Sequence, residues 1–354
     1  MPVSISVDEN VAAMLDEAER ARHCCAPTGR SLREAMRYRG DRVVEPVRGL
    51  FFRRDAWERL EPPEQTLHLM RALAPLHPDW RFCGASAAVA YGLPVTWDHL
   101  SAVFVAAPSG ASHRSCPGIV RRHLGDGTVQ VHEGLPLTPF WRTVFDCLAS
   151  FDLPDALAVA DAALRVGGVS ARALAAHLGT EYRGHRGVRG ALRAAVLADA
   201  HAESGGESIA RANMHLLGFA MPELQVWIED PVEPGKWFRV DFLWLTADGR
   251  LVIGELDGRQ KTERPELMSG RSAVRVMQDE RLRESHLTAL HPAIARFSYD
   301  DARDSARLGP LLESFGVPHG ADTWPAVAPE IVTRSSRLDY ATDRLRIIRA
   351  RARA

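Results

Sequence analysis

The stretch Phe238-Arg239-Val240-Asp241-Phe242 decides the fold, read together with Val252-Ile253-Gly254-Glu255-Leu256-Asp257-Gly258 and the Lys261 that follows. Both runs are apolar with carboxylates set into them, as in strands of a mostly buried sheet. Alternate side chains of a strand share a face. Asp241 is therefore expected to project with Arg239 and Leu243, with Val240, Phe242 and Trp244 on the opposite layer. Glu255 and Asp257 share a face by the same alternation. If the two strands are neighbours, Asp241, Glu255 and Asp257 converge at one end of an apolar sheet. Crowded carboxylates without partners repel and resist desolvation, so such a group stays wet or holds a cation. Hard oxygen donors suit Mg2+ or Mn2+. An ion there would polarise a phosphodiester and supply a hydroxide nucleophile near neutral pH. A strand that simply ends in an acid and a glycine turn accounts for the same letters without chemistry.

Outward from this pair, the segment 204–316 reads as helix, three strands, helix, strand, helix. The helices are expected at 207–217, 273–290 and 302–315, and the strands at 224–228, 238–245, 251–257 and 294–298. Ser204-Gly205-Gly206-Glu207 is a capping box. At ~100° per residue Glu207 lies about 160° from Ile209, off the apolar stripe, so it is expected outside the core, with capping and metal binding both open to it. Gln225 reads as a polar strand residue facing solvent.

Upstream, apolar spacing predicts a helix over 8–22 and a short helix from Ser31 to Tyr38. Val43-Val44 and Leu50-Phe51-Phe52 flank Arg48-Gly49 like a small β-wing. A winged helix and a helical cap with a hairpin both fit. Helices are expected at 62–74, where Pro62-Pro63 suits a first turn, and at 85–92, 139–150, 154–165 and 170–178. Strands are expected at 101–106, 119–123 and 129–132. A further helix over 184–202 carries Arg186, Arg189 and Arg193 on a basic side. The tail, 334–354, has seven arginines and two aspartates and reads as a solvated end or a nucleic-acid-binding arm, helix-compatible near 343–348.

The whole chain has 354 residues, 46% hydrophobic and 25% charged, with a formal net charge of −1. That balance excludes disorder and leaves no global electrostatic pull toward nucleic acid, so any such binding must come from local patches. Five cysteines in irregular spacing indicate neither a disulfide framework nor a zinc ribbon, and the His113, Cys116 and His123 grouping lacks paired ligand spacing. No run is apolar enough to cross a bilayer and 1–10 lacks a signal pattern, so a cytoplasmic location is expected. Of the 44 basic residues only Lys236 and Lys261 are lysine.

In order and spacing, residues 204–300 resemble the PD-(D/E)XK nuclease superfamily, in particular its branch similar to the very-short-patch-repair endonucleases. The matching residues are Glu207, Gln225, Val240-Asp241-Phe242, Glu255-Leu256-Asp257-Gly258, the helix segment Glu280-Arg281-Leu282-Arg283-Glu284 and Ala295-Arg296-Phe297. The resemblance implies that Asp241 and Glu255 hold the metal while Glu207 approaches from the first helix. Asp257 stands where the superfamily has its lysine, and Lys261 is the candidate substitute for orienting water. Residues 82–165 resemble the AbiEi family of type IV antitoxins, on Ala85-Ser86-Ala87-Ala88, Gly92-Leu93-Pro94, Gly134-Leu135-Pro136-Leu137-Thr138, Arg142-Thr143-Val144-Phe145-Asp146 and Asp161-Ala162-Ala163-Leu164-Arg165. That resemblance implies an N-terminal winged helix that binds DNA, matched here by 29–54. Arg142 is expected to pair with Asp146 at i,i+4.

The expected fold is α+β in four parts. A winged-helix-like region spans 1–60 and an AbiEi-like α+β domain 61–198. A restriction-endonuclease-like α/β domain with a central mixed sheet spans 199–316, before the Arg-rich tail at 317–354. The expected function is that of a DNA-associated protein of antitoxin or defence type. One form is Mg2+- or Mn2+-dependent phosphodiester hydrolysis by Asp241, Glu255 and Lys261, with Glu207 and Asp257 assisting. The other is a non-catalytic DNA-binding regulator, with Arg186, Arg189, Arg193, Gln225 and Arg239 as nucleic-acid contacts. A cognate toxin is a third kind of partner.

Overall fold

The computed structural model describes residues 7–107, 116–124, 127–246, 250–257, 273–320, 332–333 and 346–348. The protein is α+β with mixed sheets, and it divides into two compact units, Met1–Phe151 with Ala176–Leu192, and Asp152–Ala175 with Arg193–Ala354. The division cuts through the segment 61–198: Asp152–Ala175 belongs with the C-terminal residues.

The first unit opens with helices α1 (Val7–Arg20) and α2 (Arg30–Tyr38) and the antiparallel hairpin of β1 (Val43–Val47) and β2 (Leu50–Arg53). Their apolar faces meet in one cluster of Val11, Leu15, Ala18, Cys25, Met36, Val43 and Phe51. Gly49 turns the hairpin at φ +86°, a conformation that costs glycine nothing and an L side chain about 1–2 kcal/mol. Arg37 grips Glu45 with two hydrogen bonds of 2.8 and 2.6 Å, tying α2 to the hairpin. The two helices and the wing-like hairpin thus form where the sequence places them.

Next come α3 (Arg54–Arg59), α4 (Pro62–Leu76), β3 (Arg81–Phe82), α5 (Gly84–Ala90), β4 (Val103–Ala107), β5 (Ile119–His123), β6 (Gln130–His132), β7 (Leu135–Leu137) and α6 (Phe140–Ser150). The five strands form a mixed sheet in the order β5-β4-β3-β7-β6. Strands β3 and β7, of two and three residues, are absent from the sequence reading. Arg142 donates to Asp146 at 2.9 Å as its spacing predicts.

In the second unit, α7 (Leu153–Gly167) starts at Asp152, whose carboxylate accepts the Asp155 N–H, and ends on left-handed Gly168. Helices α8 (Ala171–Glu181) and α9 (Val188–Leu197) run across the division between units. Then follow α10 (Gly205–Leu216), β8 (Glu223–Glu229), β9 (Trp237–Leu245), β10 (Leu251–Asp257), α11 (Ala273–Thr288), β11 (Ala293–Ser298), α12 (Tyr299–Arg303) and α13 (Ser305–Ser314). Short strands β12 (Val332–Thr333) and β13 (Arg346–Ile348) complete a six-stranded sheet ordered β11-β10-β9-β8-β13-β12. Strands β8, β9 and β10 are antiparallel neighbours, and β10 and β11, with α11 between them in sequence, are parallel. The expected helix-compatible tail is corrected at 346–348. That triplet is a strand, because Ile347 and Ile348 pair antiparallel with Ile228 and Trp227 along the otherwise bare edge of β8.

The sheet feeds two apolar clusters. One gathers Leu224, Phe242, Trp244, Val252, Ala295 and Phe297 with Ala210, Met214, Leu308 and Leu312. The other gathers Val226, Ile228, Val240, Leu243, Leu251 and Ile253 with Leu287 and Leu290. The expected alternation on β9 is therefore corrected: Val240 belongs with Leu243, not with Phe242 and Trp244. Leu224 and Val226 split the same way on β8. Between them Gln225 has φ +51°, which resets the alternation at that point. Among the described residues no helix is long and apolar enough to cross a membrane.

Candidate functional site

The sheet opens beside Asp241, across from Gln225. Strands β9 and β10 pair from Leu245↔Leu251 to Phe242↔Gly254, where their register ends. Beyond that point β9 stays with β8 as far as Trp237↔Glu229, while β10 stays with β11 as far as Asp257↔Ser298. The two strands part as the tines of a fork, and Asp241 and Glu255 are the first residue of each tine. Gly254 lies at the crotch: a Cβ there would stand 3.0 Å from Phe242 Cβ and 3.1 Å from Trp244 Cζ3, so a side chain would push the strands' own core contacts aside.

Asp241 replaces the missing ladder. Its Oδ2 accepts the Leu256 N–H at 3.1 Å, and its Oδ1 accepts from Gln225 Nε2 at 3.4 Å. The same amide donates to Glu207 Oε2 at 3.0 Å, so one side chain links two carboxylates. Glu207 is buried at 6% exposure, correcting its expected place outside the core. A helical wheel sees only the helix's own apolar stripe, whereas here the sheet's polar Gln225 meets the first turn. Glu207 caps as well: its N–H donates to Ser204 Oγ, the Ser204 hydroxyl returns to Oε1 at 2.8 Å, and the Glu203 N–H donates to Oε2 at 2.9 Å. Burial, with the Asp241 charge adding to it, raises the Glu207 carboxyl above the ordinary glutamate value.

Glu255 is held differently. Arg283 of α11 donates to its Oε1 at 2.6 Å and to its Oε2 at 3.3 Å, and also to the Arg239 carbonyl at 2.6 Å. Asp257 is exposed. Lys261 lies outside the described residues, as does His113. Glu207 and Asp241 thus meet through Gln225, while Glu255 is turned to Arg283. The one group of three acid or imidazole side chains whose ligand atoms all lie within 4.8 Å, among the described residues, is Asp230, Glu233 and His286. There His286 Nδ1 lies 2.8 Å from Asp230 Oδ2, and Glu233 is paired with Lys236. Sequence reading missed this group because Asp230 and His286 are 56 residues apart.

The donor set at the fork fits a hard divalent ion in chemistry. Two carboxylates, Glu207 and Asp241, share the Gln225 amide there, while Glu255 is drawn to Arg283 and does not join them within ligand distance. Gln225 Oε1 is buried with no hydrogen-bond partner among the described residues. An acceptor in that state is satisfied by a cation.

Of the expected nucleic-acid contacts, Arg186, Arg189 and Arg193 are exposed. Arg239 is exposed but engaged with Glu203 at 2.7 and 2.8 Å, over the Trp227 ring. Gln225 is corrected: at 4% exposure it is a buried linker, not a surface contact. Sequence reading missed Arg283. The signal was its place in Glu280-Arg281-Leu282-Arg283-Glu284, but only the fold shows which arginine reaches the strands.

Two proteins of Mycobacterium tuberculosis are similar to this chain. "Uncharacterized protein Rv2248" of strain H37Rv and "Uncharacterized protein MT2308" of strain CDC 1551 are each 34% identical to it over 163 residues. The match spans 46% of this chain and 58% of the length of either relative. No family model matches the chain, and no solved structure does.

Proposed function

We propose that this is a DNA-associated protein of antitoxin or defence type whose C-terminal unit is a PD-(D/E)XK-type core that hydrolyses phosphodiesters with Mg2+ or Mn2+. The observation that carries the reading is the fork: β9 and β10 part beside Asp241 within the sequence helix–strand–strand–strand–helix–strand. That order, and the motif positions on it, support the resemblance of 204–300 to the nuclease superfamily. Asp241, Glu207 and Glu255 are the residues to hold the ion, which supplies Lewis-acid polarisation of the phosphate and activates water. Gln225 fixes Asp241 and Glu207 relative to each other, and Lys261 is the candidate to orient the attacking water. The full chain is incubated with plasmid, single-stranded DNA and RNA in Mg2+ or Mn2+. Cleavage is expected to drop about a hundredfold or more in Asp241→Asn, which keeps the shape and removes the charge. Equal cleavage by wild type and variant means a contaminant and removes the enzymatic reading.

A second reading, a non-cleaving DNA-binding regulator, is favoured by one observation: the charge of Glu255 is already matched by Arg283. Asp257 in the lysine position agrees with it. Exposed Arg30 on α2, Arg48 beside the hairpin turn, and Arg186, Arg189 and Arg193 are the candidate phosphate contacts. Binding through them weakens steeply with salt. Salt-insensitive retention of the protein's own promoter DNA, or none, counts against this reading.

A further inference from the structure

We infer that Arg283 is a phosphate-operated latch, holding Glu255 away from a divalent cation until a nucleic-acid phosphate takes the guanidinium. The inference rests on the fork being the cation site proposed above, and concerns how that site is loaded.

The contact closes the fork. Past Phe242↔Gly254 no backbone pairing joins β9 to β10. Among the described residues, two side chains bridge the gap instead. Asp241 reaches from β9 to the Leu256 N–H of β10, and Arg283 reaches from α11 to both tines, taking the Arg239 carbonyl of β9 and the Glu255 carboxylate of β10. The Arg283 and Glu255 side chains are only 17% and 15% exposed. Both carboxylate oxygens are gripped, so an incoming cation must compete with a guanidinium already in two-pronged contact. A positive charge at that point also opposes a second, divalent one. Metal alone is therefore a poor opponent for the latch.

A phosphodiester is a better one. It offers the guanidinium the same planar pair of acceptors that Glu255 does, and arginine is suited to that exchange. A phosphate arriving at the mouth of the fork gives Arg283 a new partner and takes the guanidinium off both Glu255 oxygens. Cation and nucleic acid then load together, and by linkage each tightens the other by the same factor.

The test is a titration of Mn2+ into the full chain without nucleic acid, followed by the electron paramagnetic resonance of the free ion, with DNA affinity measured separately with and without Mn2+. Arg283→Gln is expected to bind Mn2+ about tenfold more tightly than wild type. Mn2+ is expected to tighten DNA binding by about tenfold in wild type and less than twofold in Arg283→Gln. Arg283→Lys keeps the charge and gives up the two-pronged hold. It is expected to shift Mn2+ binding in the same direction by a smaller factor, and it decides the question if the glutamine variant does not fold. Equal Mn2+ affinity in wild type and the Arg283 variants, with Asp241→Asn weakened, overturns the latch and leaves the cation site standing. No Mn2+ binding by any form, with or without DNA, overturns the cation site and the latch with it.

Discussion

Asp161→Ala is expected to lower the stability of the C-terminal unit by about 3–5 kcal/mol, read as a fall in the urea midpoint at neutral pH. Asp161 is fully buried, and its Oδ2 accepts from Arg211 Nη1 at 2.7 Å while its Oδ1 accepts the Asp199 N–H at 2.7 Å. Arg211 is itself 4% exposed, with Nη2 donating to the Leu197 carbonyl at 3.0 Å. Alanine strands a buried guanidinium with no counter-charge, and that is what costs. Removing both charges, as in Asp161→Asn with Arg211→Met, is expected to cost less than the single change. Burial also pushes the Asp161 carboxyl up to about 6, from an ordinary 3.8, against the pull of Arg211. Between those values the folded chain binds more proton than the unfolded one. This residue's contribution to stability therefore falls as pH rises from about 4 to about 6. The slope is expected in wild-type urea titrations and absent in Asp161→Asn.

Trp244→Ala is expected to cost about 3–5 kcal/mol, within reach of the whole stability of an ordinary domain. The indole is 1% exposed and its Nε1 donates to the Ala220 carbonyl at 2.7 Å. Truncation leaves a cavity in the cluster it shares with Phe242, Phe297 and Met214 and orphans a buried acceptor. Phenylalanine refills most of the volume without the donor and is expected to lose a smaller share. Urea midpoints for the two variants separate packing from the hydrogen bond, and near-ultraviolet circular dichroism reports whether the remaining aromatic groups stay fixed.

The order of elements in the C-terminal unit was legible because its strands are long, apolar and punctuated by glycine and proline. The α10 start was legible in Ser204 and Glu207, and the Arg142 and Asp146 pair in its spacing. What defeated sequence reasoning was a break in periodicity. On β8 a positive φ at Gln225 separates Leu224 from Val226, and opposite it on β9 Val240 parts from Phe242 and Trp244. Alternation counting has no means to anticipate either break. The burial of Glu207 follows from the sheet beneath it. Arg283 and Glu255 stand 28 residues apart, and Asp161 and Arg211 stand 50 apart. In each case the fold, not local spacing, chooses the partner. The helix over 154–165 was foreseen, but its allegiance to the later residues was not, since helical periodicity marks a buried stripe without saying what covers it.

The strand at 346–348 has a consequence for handling the protein. By occupying the outer rim of β8 it takes up amide groups that would otherwise invite a strand from a second molecule. Trp227, at 40% exposure, sits on that rim. Residues 346–348 thus shield this part of β8, and a variant in which they cannot pair would leave the strand beside Trp227 open to stacking edge to edge.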